Sequence, residues 1–207
     1  MVQTVKTQLV TASTSKALSL DEVKDWLRLP RGYTKEDDLL NVARNAAISR
    51  CEEYLGRKLL TQTWNAYYDY FPAYGEIKLP FGPVQGLGSD TTSVIYYDSS
   101  GSKNTYSSTN YSVDTVSDPG RVVLSYGATW PTDTLRPMNP IRIDFITGYG
   151  DNSSDIPANI VNGMKRYVGD LHEHREDSLV GQGVTIVEIP YGVQDMWRPF
   201  KQNYGAF

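Results

Sequence analysis

Reactive side chains are scarce in this sequence. Its 207 residues include one cysteine, Cys51, and two histidines, His172 and His174. A lone cysteine excludes an intrachain disulfide, and with it the disulfide-stapled class of small secreted domains. A thiol nucleophile needs a histidine base nearby, and both histidines sit together far downstream, so Cys51 reads as a packed or partly exposed thiol. Positions two apart on a helix point roughly 200° apart, whereas a shared metal wants a spacing of three or four. His172-Glu173-His174 therefore reads as a solvated helix end, where basic side chains suit the dipole. No metal, cofactor or catalytic residue is expected.

Long apolar runs are also missing. No window reaches the roughly 18 apolar residues of a membrane span, and MVQTVKTQLVTAS lacks a signal peptide's apolar centre. The expectation is a soluble protein that stays in the compartment that makes it. Positive charge is modest, with 20 Lys and Arg against 24 Asp and Glu and a net charge of -4. That balance argues against a general phosphate-neutralising surface. Gly86-Leu87-Gly88 and Gly148-Tyr149-Gly150 lack the full glycine spacing and the lysine of a phosphate loop, so both read as turns. Glu36, Asp37 and Asp38 suit the first turn of a helix better than an acid–base pair.

What remains is a chain of ordinary hydrophobic content, 40%, with 15 tyrosines. Tyrosine, with an apolar ring and a polar tip, favours half-buried strand faces and protein interfaces. Residues 34–56 form the clearest predicted helix. Thr34 and Asp37 stand at capping-box spacing, and Gly56 is a stop. Leu39, Leu40, Ala43, Ala47, Tyr54 and Leu55 recur at threes and fours as an apolar stripe. A shorter helix precedes it. Ser19 and Glu22 make a capping box, Leu18 can staple on Val23, Trp26, Leu27 and Leu29 add apolar bulk, and Pro30 ends it. A third helix starts with Asp155 as cap and Pro157 in its first turn, and carries Ile160, Val161, Met164, Tyr167, Val168 and Leu171.

Between the second and third helices the period changes to two. Trp64, Ala66, Tyr68 and Tyr70 share one strand face. Further strands are predicted at 76–79, 93–97, 111–114, 120–124 and 141–147, with turns at 98–101 and 117–120. The predicted fold is α+β: an antiparallel helical bundle with an inserted β-rich sheet or small barrel, and an extended C-terminal tail. Its parts are an extended arm at 1–16, a helical core at 17–59 and 148–183, the insert at 60–147, and a strand plus tail at 184–207. The tail holds Tyr191, Met196, Trp197, Phe200, Tyr204 and Phe207 at low charge, and can fold back on its own core or dock into another subunit.

The segments LSLDEVKDWLRLP and DDLLNVARNAAISRCEEYLGRKLLTQTW open this order of features. IKLPFGPVQG, the hairpin reaching YSV at 111–113, TWP at 129–131 and ITGYGDNSSDIPANIVNGMKRYVGDLHEHRED continue it. Together, over roughly residues 17–200, they resemble the head-tail connector proteins of long-tailed phages, the adaptor or head-completion proteins. Each motif is short and structural; the specificity lies in their shared order. The insert departs from the family in its length and its Tyr and Ser content.

The resemblance implies a non-enzymatic virion protein of the neck, assembled in the host cytoplasm. It implies a ring, usually dodecameric, that forms under the portal, extends the DNA channel without sequence-specific binding, and receives a head-closure or tail-completion protein. No membrane is involved. In related systems the C-terminal segment inserts among portal subunits, which gives the five tail aromatics and Met196 a docking role. Leu39, Leu40, Ala43, Ala47, Tyr54, Ile160, Met164, Tyr167 and Leu171 are then expected in ring or core helix packing. Two other readings are a carbohydrate- or receptor-binding module built on the tyrosines of the insert, and a small hydrolase with an unrecognised site.

Overall fold

The computed structural model describes residues 5–73, 75–88, 93–174 and 189–202. The chain divides into two compact units. One comprises Met1–Thr14, Leu60–Tyr149 and Gln202–Phe207, and the other Ser15–Leu59 and Gly150–Lys201.

The second unit is helical, with α1 (Leu20–Trp26), α2 (Asp37–Leu55), α3 (Ala158–Glu173) and α4 (Tyr191–Trp197). α1 starts as its sequence dictates. The Ser19 side chain accepts from the Glu22 amide while the Glu22 carboxylate accepts from the Ser19 amide, satisfying two otherwise orphaned donors. Burial opposes ionisation of Glu22, but its bonds to Ser19 and the charge of Lys165 outweigh it and lower its pKa. α1 stops at Trp26, ahead of the expected Pro30, because Arg28 turns into the left-handed region at φ 58°.

α2 lacks the capping box expected of Thr34 and Asp37. Its N-cap is Glu36 and no side chain caps it. The Asp37 carboxylate instead lies 2.6 Å from the Lys24 ammonium, which is only 3% exposed and also donates to the Arg31 carbonyl at 3.1 Å. A buried cation competes for an acid more strongly than a backbone amide does. Gly56 closes the helix at φ 66°, a conformation a residue with a Cβ adopts only under strain. Asp37→Asn leaves that buried ammonium without a counter-charge and is expected to cost about 2 kcal/mol. Lys24→Met leaves a carboxylate that water reaches, and denaturant melts should show a smaller loss.

α3 begins later than expected. Asp155 ends a short 3-10 turn, Ser153–Asp155, and its carboxylate accepts from the Asn152 amide at 2.9 Å; Pro157 becomes the N-cap. Ile160, Met164 and Val168 are fully buried and Tyr167 nearly so. They pack with Leu40, Ala47, Cys51 and Leu55 of α2 in the helical unit, so α2 and α3 lie against each other. The C-terminal segment differs most from expectation. It is not extended over 191–200 but forms α4 and a 3-10 turn, Arg198–Phe200. Val193 and Trp197, four residues apart, place two buried side chains on one helical face. The strand predicted from 184 lies, up to residue 188, outside the described residues.

Among the described residues the other unit holds two antiparallel sheets, and neither closes into a barrel. The larger runs β1 (Lys6–Thr11), β2 (Gln62–Tyr68), β9 (Ile141–Thr147), β5 (Val94–Tyr97) and β6 (Lys103–Thr105), with β4 (Val84–Leu87) also on β9. The smaller runs β3 (Glu76–Lys78), β8 (Arg121–Leu124) and β7 (Tyr111–Asp114). β9 alternates buried and half-buried along its whole length, with Ile141, Ile143, Phe145 and Thr147 inward. It pairs with β2 from Gln62↔Thr147 to Tyr68↔Ile141, and on its other side with β4 and then β5. The predicted arm supplies β1, an edge strand exposed at all six positions.

The β7–β8 hairpin is tied by Asp114. Bonds from the Ser117 hydroxyl and amide, then from the Arg121 guanidinium, hold its carboxyl well below the usual carboxylate range. A depressed native pKa contributes stability above the unfolded value, lost as pH falls through the native one. Asp114→Asn is therefore expected to speed amide exchange at Val116 and Ser117 at neutral pH. The difference from wild type should fade only below about pH 4.

Candidate functional site

Among the described residues the reactive side chains form no catalytic constellation. Cys51 is buried in α2, and burial, then the charge of Glu52, raises its thiol pKa well above the ordinary value. That is the opposite of an activated thiolate. His172 is not simply solvated: its Nε2 lies 3.1 Å from Glu36 Oε2 at the start of α2, linking α3 to α2 within the helical unit. His174, largely exposed, has Nδ1 3.3 Å from Asp170 Oδ1. Glu36 and Asp37 are thus occupied by His172 and Lys24. Among the described residues no group of three or more His, Cys, Asp or Glu could hold a metal ion. No helix among them is long and apolar enough to cross a membrane.

The described tyrosines of the insert form no open platform. Tyr68, Tyr106 and Tyr111 are buried in the core of the β unit with Ile77, Val122 and Trp130. Tyr68 donates to the Lys78 carbonyl and Tyr106 to the Thr129 carbonyl, both at 2.7 Å, and burial raises both phenol pKa values. Tyr106 lies 6.0 Å from Tyr111 and 5.4 Å from Trp130, which stacks on Phe71 at 5.1 Å. Such buried ring contacts account for these residues without a sugar ligand. Of the described tyrosines in the insert, Tyr70 and Tyr126 are exposed.

The tail residues fall into three groups. Tyr191 is 70% exposed, while Met196 and Phe200 are half-buried. Trp197 is fully buried and therefore unavailable as a docking anchor. Its indole donates to the Ile160 carbonyl at 3.1 Å and lies over Gly163, with ring centroids 5.8 Å from Tyr54 and 6.3 Å from Tyr167. Tyr204 and Phe207 lie outside the described residues.

The residues expected in helix packing also separate. Leu40, Ala47, Ile160, Met164 and Tyr167 are buried, whereas Ala43, Tyr54 and Leu171 are half-buried. Leu39 faces solvent, and so do Val42 and Ala46, which sequence reasoning missed. The signal was available. Positions 39, 42 and 46 trace a second apolar line about 120° around the helix from 40, 47 and 51. A second surface lies where the end of α1 meets α3 and α4. There Trp26, 45% exposed, Arg166, Asp170, Glu173, Pro190 and Val193 line an open groove of about 420 Å³.

No protein-family profile matches the chain, and no curated protein matches it. Solved structures do. A chain in the neck of an empty GTA particle, computed with C6 symmetry, superposes with a TM-score of 0.75 at 22% identity, covering 98% of this chain and 100% of that one. A chain in the virion of a native gene transfer agent (GTA) particle gives 0.74 at 21% identity, covering 96% of each. A chain in the neck of a native GTA particle, computed with C12 symmetry, gives 0.74 at 19% identity, covering 98% and 100%. Across essentially its whole length, the chain shares this fold.

Proposed function

We propose that the protein is a structural connector of a virus or virus-like particle, placed in the neck between head and tail. The observation that carries this reading is the end-to-end fold match to chains of a particle neck, with no large part of either chain left over. Copies assemble as a ring, twelvefold by analogy with the C12 symmetry of one such neck. The ring seats under the portal, lengthens the DNA channel and receives a head-closure or tail-completion protein. Contacts around a ring are heterologous, so each copy needs two different complementary flanks. The exposed line on α2 and the groove at Trp26 supply apolar surface for them.

Docking on the portal uses the tail without Trp197: Tyr191, Met196 and Phe200, followed by Tyr204 and Phe207. Each contact is small, and many copies engaging together give a firm joint. A net charge of -4 suits a channel through which DNA slides, because attractive phosphate contacts would hold it. The assembly takes place in the host cytoplasm and ends in the virion neck. Particles produced without this chain should accumulate as DNA-containing heads and separate tails, rejoined when the chain is supplied. Normally joined particles in its absence would contradict the proposal.

A further inference from the structure

We infer that the exposed line of α2 on one copy docks into the Trp26 groove of the next copy, a contact that rests on the ring reading above. The two surfaces differ in shape and belong to one unit of one chain, as a closed heterologous interface requires. The ridge is formed by Leu39, 40% exposed, and Val42, 67% exposed, followed by Ala46. Leu and Val one turn apart fill a concavity without a polar group to desolvate. The groove is concave and holds about 420 Å³, with Pro190 and Val193 among its lining residues. Trp26 stands at it as the aromatic anchor, and its indole Nε1 would lie 3.4 Å from a Cβ at Gly169. A half-exposed tryptophan in a pocket is the residue type that contributes most when an interface closes over it.

Charge sets the orientation. Lys35 and Asp38, three residues apart at the start of the ridge, are both exposed. Arg166 and Glu173, lining the groove, are exposed as well. None of these four side chains has an ion pair or hydrogen bond within the described structure. Asp38 meets Arg166, and Lys35, on its long flexible stem, reaches Glu173 seven residues further along α3. One charge of each sign beside the ridge and one of each sign along the groove steer the approach and disfavour the reversed orientation.

A double variant, Val42→Cys with Gly192→Cys, tests the contact. Val42 is exposed, and a Cβ at Gly192 would meet only the Arg166 guanidinium at 3.7 Å, an ordinary contact, so both changes fit the fold. Assembled rings of the double variant, oxidised with diamide, should give a ladder of dimers, trimers and higher multiples on a non-reducing gel. Each single variant should give no ladder, and the native Cys51, fully buried, should add none. Asp38→Arg should abolish rings in electron micrographs, and adding Arg166→Asp should restore them. Rings that form but give no ladder specific to the double variant would overturn the assigned faces and leave the neck reading standing. A ladder from Val42→Cys alone would mean a face-to-face twofold contact and would also overturn them. Absence of rings even with the portal present would remove both readings.

Discussion

Trp197→Ala is expected to lower the unfolding free energy of the protein by about 4 kcal/mol, within the range for deleting a fully buried large aromatic. Its indole is 0% exposed, lies over the bare backbone of Gly163, and uses its one donor on the Ile160 carbonyl. Alanine removes the ring contacts with Tyr54 and Tyr167 and opens a cavity the size of the side chain. α4 has only seven residues, too few to persist without tertiary contacts, so it should detach as well. Gly163→Val attacks the same contact from the other side, because a Cβ at 163 would fall 2.2 Å from the indole nitrogen. Tyr191→Ala, 70% exposed on the same helix, should change stability by less than about 0.5 kcal/mol. Denaturant melts of the three variants separate the cases. A loss below about 1 kcal/mol for Trp197→Ala would mean that the tail is not held on the helical unit.

The second large effect belongs to β9. Phe145→Ala is expected to cost about 4 kcal/mol, again by loss of buried area plus a cavity. Phe145 is 0% exposed in a strand paired on both sides, opposite Trp64 of β2 and Leu87 of β4. Its ring lies 6.5 Å from Phe81, which in turn meets Trp64 edge-on at 5.0 Å. Little of this can collapse into the space, since the backbone around it is fixed by two ladders. Val116→Ser, at a hairpin tip 94% exposed, should be neutral in the same melts.

The elements that could be read from sequence were those whose pattern answers to local physics. The Ser19–Glu22 capping box, the Gly56 stop, the strict alternation of β9 and the i, i+3, i+4 stripe of α3 are each local, and each stands near its expected place. The failures are tertiary. Thr34 and Asp37 had the spacing of a cap, yet a buried Lys24 from another helix took the acid. Trp197 stands in an aromatic, weakly charged tail that could fold back on its own core or dock elsewhere, and it folds back. Its helical spacing from Val193 was the sign that it would turn inward. β4, with one glycine among four residues, read as loop because pairing with β9, not propensity, makes it a strand. On α2 the buried and exposed apolar lines lie side by side, so one stripe was read where two exist.

The most direct test of the account is negative-stain imaging of the purified protein mixed with the portal protein from the same particle. A ring of this chain stacked coaxially on the portal, with its symmetry matched to the portal's, is the predicted result. Portal particles that remain bare at saturating concentrations of a folded, monomeric chain would contradict it.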